Sequence, residues 1–163
     1  MAIRRVLSFP NPILLHKTKP IEVFDAALQI LIDDMFETMY AENGIGLAAN
    51  QVGEPLRLFV RDVSNDKSNP QVFINPLLIE TSGEIILQEG CLSFPGISVQ
   101  VARPEFITIE ALDRHGKIFT HSESGYSARC VLHEFDHLEG ITMLDRLSPT
   151  KRKLVMNQFR KRS

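Results

Sequence analysis

The sequence reads as one block of strands with helices before and after it, and three observations carry that reading. A helical period of apolar residues runs from about Asp25 to Glu42. Short alternating runs, separated by turn residues, fill Leu56 to Glu123. Two more helical stretches follow them to the C-terminus. At 163 residues the expectation is one domain spanning 1–163, long enough to bury a sizeable core. Hydrophobic content of 44%, charged content of 23% and a formal net charge of −2 are those of an ordinary soluble chain. They exclude wholesale or sequence-specific nucleic-acid binding. No apolar run is long enough to span a membrane. No internal repeat and no low-complexity segment is present.

Near the N-terminus, Arg4 and Arg5 precede an apolar stretch that Ser8 and Pro10 break, so this is no signal peptide. Two cysteines without a secretory signal point to free thiols in a reducing compartment, the cytoplasm. Phe9-Pro10-Asn11-Pro12 reads as an extended or turn segment, because each proline restricts the residue before it. Leu28, Ile32, Met35 and Met39 follow helical spacing, with Asn43-Gly44 as the stop.

Gly44-Ile45-Gly46-Leu47-Ala48-Ala49-Asn50-Gln51 comes next and formally matches a dinucleotide fingerprint. That fingerprint needs a strand before it and a helix after it, and here the order is reversed. The glycines instead fit a tight loop that another backbone approaches closely. Gln51, at its end, can point an amide into a site.

Leu56 to Val63 alternates as a strand. Val72–Ile74, Leu77–Ile79 and Glu84–Leu87 are short β-like runs punctuated by Asn75-Pro76 and Ser82-Gly83. Ile97–Val101 and Phe106–Leu112 follow, the latter with Ile107, Ile109 and Ala111 on one face. Asp113 to Gly116 turns the chain into Lys117–His121. His16, His115 and His121 read as surface residues. A helix is expected from Ser124 or Ser127 to Leu138, ended by Gly140. Ser148-Pro149 opens a last helix, with Ser as N-cap and Pro at the first position. That helix is rich in cations: Lys151, Arg152, Lys153, Arg160, Lys161 and Arg162, with no acid after Asp145.

The penultimate helix carries the chemistry. His133-Glu134-Phe135-Asp136-His137 reads H-E-x-x-H. Residues four apart on a helix project from nearly the same side, so two imidazoles can grip one metal ion. Glu134 can then reach a water held on that metal and act as general base. A catalytic site of this kind wants a third protein ligand and one open position. Glu139 is too close in sequence to fold back, and Asp145 is the only other downstream acid. The longer metzincin pattern finds its glycine in Gly140 but Met143 where its third histidine belongs. Two cysteines remain. Cys130 shares the helical face, but a metal between the histidines lies about 7 Å along the axis from it, too far for a side chain plus a bond of about 2.3 Å. It reads as a small buried hydrophobe. Cys91, in Glu89-Gly90-Cys91-Leu92-Ser93, can approach from another element and is assigned as third ligand.

G-I-G-L-A-A-N-Q, E-G-C-L-S and H-E-F-D-H, in this order, resemble the three signature motifs of the peptide deformylases. Asp33 to Tyr40, Ile74-Asn75-Pro76, Leu112-Asp113-Arg114 and Leu147-Ser148-Pro149 are also similar to that family, so the resemblance covers nearly the whole chain. It implies an α+β fold, with antiparallel sheets packed around a central metal-binding helix and a C-terminal helix. It implies a hydrolase that removes the formyl group of N-formylmethionyl peptides. By motif position Cys91, His133 and His137 hold the metal and Glu134 is the acid/base. Gln51 and the Leu92 backbone N–H meet the oxyanion, and Ile45 and Gly46 line the substrate cleft. The cofactor expected is one divalent ion per chain, Fe2+ foremost, with Zn2+, Ni2+ and Co2+ as alternatives. Family analogy makes the basic last helix a dock for the ribosome near the nascent-chain exit.

The sequence departs from the resemblance at the side-chain pocket. Tyr126 and Arg129 stand where the resembled proteins usually carry apolar residues around the methionine side chain, and Leu132 stands where they carry Gln. An arginine at a pocket wall needs water or an acidic partner, though its stem can pack against a thioether. The expectation is that methionine is kept as first residue, with a more open mouth and more tolerance of long or polar groups.

Overall fold

The computed structural model describes residues 2–162, the side chain of Arg162 excepted. Met1, Ser163 and the Arg162 cation of the terminal cluster lie outside the described residues. Helix α1 spans Ala26–Ala41. Asp25 caps it, its carboxylate accepting the Leu28 N–H at 3.0 Å. Leu28, Ile32, Met35 and Met39 are all buried, as their spacing requires. The end is a left-handed Asn43, at φ 58°, followed by Gly44, whose N–H returns to Met39 O at 2.9 Å.

Seven strands follow: β1 Gly46–Ala48, β2 Leu58–Arg61, β3 Gln71–Ser82, β4 Ile85–Gly90, β5 Ser98–Arg103, β6 Phe106–Leu112 and β7 Ile118–Ser124. Five of them form one antiparallel sheet in the order β1-β2-β3-β6-β7, while β4 and β5 pair separately as a two-stranded ribbon. Two expectations change here. The runs on either side of Asn75-Pro76 are one twelve-residue strand, not two. A register shift between Ile74 and Leu77 takes up the irregularity, with Asn75 at φ 49°. Its amide accepts from Ile21 N–H and donates to Ile21 O, both at 2.8 Å, which holds the bulge. The strand expected over Leu56–Val63 is only four residues long, because Leu56 pairs with Lys19 in an isolated bridge and Asp62 turns back onto Ser64. His121 is not a free surface residue either. It is half-buried beside Phe73, Phe119 and Glu123.

Every residue of β2 is buried, because helices cover both faces of the sheet there. Leu58 and Val60 pack with α1, and Phe59 packs with helix α2, Gly125–Leu138. Ser124 stands at the N-cap of α2 without a side-chain cap bond. Gly140, at φ 73°, lies just past its end. Helix α3, Pro149–Arg162, starts on Ser148, whose Oγ accepts the Lys151 N–H at 3.3 Å. Val155 and Phe159 join α3 to Phe9, Phe94 and the ribbon residues Val99 and Val101. Lys151, Lys153, Arg160 and Lys161 are exposed, and Arg152 pairs with Asp145 at 3.3 Å. Among the described residues no helix is long and apolar enough to cross a membrane.

Candidate metal centre

α2 is buried over most of its length, and its motif face meets the end of β4. There the structure brings Cys91, His133 and His137 together, with their ligand atoms within 4.8 Å of one another. Cys91 Sγ lies 3.3 Å from His137 Nε2. That span suits three bonds of about 2.0–2.3 Å to a single ion. Cys130 is outside the cluster: it is buried, and its thiol faces Ile45 O at 3.8 Å.

The donors fit a metal for a chemical reason as well. Burial opposes charge on His133, yet Cys91 and Glu89 hold its pKa well above the ordinary value. Burial and the nearby His133 charge hold His137 well below it. One sulfur and two imidazole donors converging on one point are the donor set of a zinc- or iron-type site. Glu89 Oε1 accepts from His133 Nδ1 at 2.8 Å, which fixes the tautomer and leaves Nε2 free to ligate. Among the described residues His137 Nδ1 has no such partner.

Glu89 is itself held hard. Arg103 forks onto it, Nε to Oε2 at 2.5 Å and Nη2 to Oε1 at 2.9 Å, and Arg129 Nη1 also donates to Oε2. Burial pushes the Glu89 carboxyl up, but the bonds from His133 and Arg103 outweigh it and bring the pKa to about 2. Arg103 continues to Asp136 at 2.8 Å, and Arg146 forks onto Asp136 from the rim. Sequence reasoning gave Glu89, Arg103, Asp136 and Arg146 no role. The available signal was a carboxylate two residues before the candidate thiolate.

Glu134 lies beside the ligands with Oε1 buried and, among the described residues, without a partner. Burial raises its pKa to about 7, with the His133 charge pulling the other way. β1 leaves room for it. A Cβ on Gly46 would lie 2.6 Å from Glu134 Oε2, so any other residue there displaces the acid. Gln51 sits in a 3-10 turn, Ala49–Val52. Its Oε1 accepts the Ala48 N–H at 2.9 Å and its Nε2 donates to Ser93 Oγ at 3.0 Å, 3.7 Å from Cys91 Sγ. The amide donor end therefore faces the cluster. Ser93, fully buried, is a further residue whose part was missed.

A cleft of about 530 Å3 opens in front of these groups. Ile45, Gly46, Leu92, Tyr126 and Arg129 all line it. Tyr126 is 56% exposed at the mouth, whereas Arg129 is buried, with Glu89 as its acidic partner. Leu132 faces away, into the apolar cluster with Phe59 and Phe73.

Cys91, His133 and His137 would hold a metal ion, with the buried Glu134 carboxyl beside it. Fold and site together define a metal-dependent hydrolase. The family model described as polypeptide deformylase matches residues 3–153. Peptide deformylase 1 of Shewanella oneidensis is 49% identical over 161 residues, covering 99% of this chain and 96% of that protein. The crystal structure of a peptide deformylase from Legionella pneumophila superposes with a TM-score of 0.94 at 46% identity, covering 98% of this chain and 95% of that one. A peptide deformylase of Ehrlichia chaffeensis, solved in complex with actinonin, also reaches 0.94 at 35% identity, over 100% of this chain and 99% of that one. The chain belongs to the polypeptide deformylase family.

Proposed function

We propose that this centre removes the formyl group from N-formylmethionyl peptides, with Cys91, His133 and His137 holding one divalent ion. The observation that carries the reading is the buried Glu134 carboxyl, its Oε1 without a partner among the described residues, beside three convergent ligand atoms in the wall of an open cleft. When bound, the ion would act as a Lewis acid on the formyl oxygen and lower the pKa of water towards neutrality. Glu134 accepts the proton of the attacking water and returns it to the leaving nitrogen, which gives formate and a free amine. Gln51 Nε2 and the Leu92 N–H donate to the oxygen on which charge develops, a role for which one preorganised donor supplies about 10²–10³ in rate. Gln51 needs no reorganisation for this, because Ala48 and Ser93 already set its amide. Ile45 and Gly46 line the path of the peptide, whose main chain adds to β1 as an edge strand. Tyr126 and Arg129 border its first side chain.

Glu134→Gln tests the assignment. It keeps the shape and removes the base, so formate release should fall by about 10²–10⁴ while metal content stays at that of the parent. Loss of metal from the variant, or full activity, would show that Glu134 has another role.

Fe2+ is the ion we propose, since thiolate with imidazole suits it and zinc alike and the family resemblance favours iron. Metal analysis of protein purified without oxygen reads it directly. We place the protein in the cytoplasm, where Cys91 and Cys130 stay free thiols. We also propose that α3 docks on ribosomal RNA near the exit of the nascent chain, through its exposed Lys151, Lys153, Arg160 and Lys161. Deleting α3 would uncover Phe9 and Phe94, so charge reversal is the sounder test. Lys153→Glu with Lys161→Glu should weaken binding and flatten its dependence on log salt by about 0.7–0.9 per lost phosphate contact. Unchanged affinity would remove the proposal.

A further inference from the structure

We propose that Arg129 joins the substrate side-chain pocket to a metal ligand. Its stem is the wall that the first residue of the peptide meets, and its guanidinium fixes Glu89, the carboxylate that orients His133. The inference rests on the reading of the cleft as the formyl-peptide site.

Arg129 stands four residues before His133, one turn away on the same side of α2. It lines the cleft beside Ile45, Tyr126 and Cys130, yet it is only 2% exposed. Both ends of its guanidinium are committed to β4. Nη1 donates to Glu89 Oε2, and Nη2 donates to Ile85 O at 3.0 Å. One planar fork therefore pins the strand to the helix at two points four residues apart. The other oxygen of Glu89 accepts from His133 Nδ1 at 2.8 Å. A group filling the pocket is two hydrogen bonds away from the ring of a metal ligand.

The charge arrangement sets what the pocket takes. Arg103 also forks onto Glu89, but it continues to Asp136, so a second acid shares it. The two terminal nitrogens of Arg129 are used inside the protein, on Glu89 and on Ile85 O, and do not reach for the substrate. The stem is hydrocarbon and suits an unbranched apolar side chain rather than an acidic one, and Nε is the one guanidinium nitrogen without a partner among the described residues. Filling the pocket presses on that stem, and the fork passes the pressure to Glu89. Arg129 is thus a specificity-determining and positioning residue, and it does not touch the reacting atoms.

Three substitutions separate its two parts. Arg129→Met keeps the stem and removes both donors. Arg129→Lys keeps the charge and loses the fork. Arg129→Ala removes the wall as well. The measurements are the rate of Co2+ loss to a chelator, the urea midpoint, and kcat and KM for formyl-Met and formyl-Phe peptides. Arg129→Met should lose metal about 10–100-fold faster, the usual scale for removing a group behind a ligating histidine, and should fall in kcat with KM for formyl-Met nearly kept. Arg129→Lys should lie between it and the parent. Arg129→Ala should in addition lose about 10-fold in the ratio of kcat/KM for formyl-Met over formyl-Phe, the scale of a changed pocket wall. A parent-like rate of metal loss in folded Arg129→Met overturns the link to the metal. An unchanged Met/Phe ratio in Arg129→Ala overturns the wall. A fall in the urea midpoint alone, with both other readings unmoved, shows a purely structural clamp and overturns both. Absence of formate release by the metal-loaded parent would instead strike the deformylase reading, while metal loss would still report on the clamp.

Discussion

On one side α2 meets the five-stranded sheet through hydrocarbon: Ala128, Val131 and Leu132 against Phe59, Phe73 and Ile109. On the other it meets the β4–β5 ribbon through charge: Arg129, His133 and Asp136 against Glu89 and Arg103. The two supports do different work. Apolar packing is non-directional, so it sets how deep the helix lies. Hydrogen bonds are directional, so the ribbon sets how the His133 ring is turned. A buried ion-pair network gains little over hydrocarbon of the same shape, since desolvation offsets the attraction. The ribbon side therefore keeps its charges for orientation, at little net gain in stability.

The comparison breaks most visibly at Glu89. Glu89→Gln leaves Arg103 and Arg129 buried without their shared anion, and breaking such a pair costs about 3–5 kcal/mol. Metal affinity should also drop by about 10–100-fold, because His133 loses its charged acceptor. Ile109→Ala, on the sheet side and fully buried, should cost about 2–5 kcal/mol through its cavity and leave metal affinity of the folded protein unchanged. Urea unfolding of the metal-free proteins and chelator competition read the two quantities separately. If Ile109→Ala weakens metal binding as much as Glu89→Gln, the two supports are not distinct.

The same division explains what the sequence disclosed. The apolar side was legible, because periods of two and of 3.6 follow from local geometry and picked out Ile107, Ile109 and Ala111 as well as the face of α1. His133, Glu134 and His137 were legible for the same reason, as one helical turn brings them together. Cys91 came from elimination and axial distance. The ribbon network was not legible. Glu89 meets His133 across 44 positions and Arg103 meets Asp136 across 33, contacts that only tertiary structure creates. The continuity of β3 through Asn75 was hidden likewise, because the bulge depends on Ile21, 54 positions away. Motif position carried the expectations for Gln51 and Leu92, and nothing local pointed to Ser93 as the partner that turns the Gln51 amide.

The sheet side is not wholly apolar, and a buried ion pair near α2 sharpens the contrast at the smallest scale. Arg61 on β2 forks onto Glu123 on β7, with Nη2 to Oε2 at 2.5 Å, and Ser127 of α2 also donates to that carboxylate. Burial raises the Glu123 pKa, but the bonds from Arg61 and Ser127 outweigh it and hold it below the ordinary value of 4.5. A carboxyl lowered on folding binds fewer protons in the native state than in the unfolded chain. Its contribution is therefore complete above the unfolded value, and it is lost as the pH falls through that value towards the lower native one. Glu123→Gln should unfold at less urea than the parent at pH 7, and the gap should narrow as the pH falls below 4.5. Metal affinity at pH 7 should be the same in both, because no bond from Glu123 runs to a ligand. A gap that stays constant from pH 7 to pH 3 would mean that the carboxylate acts through its shape and not its charge. A change in metal affinity would mean that orientation reaches the site from the sheet as well as from the ribbon.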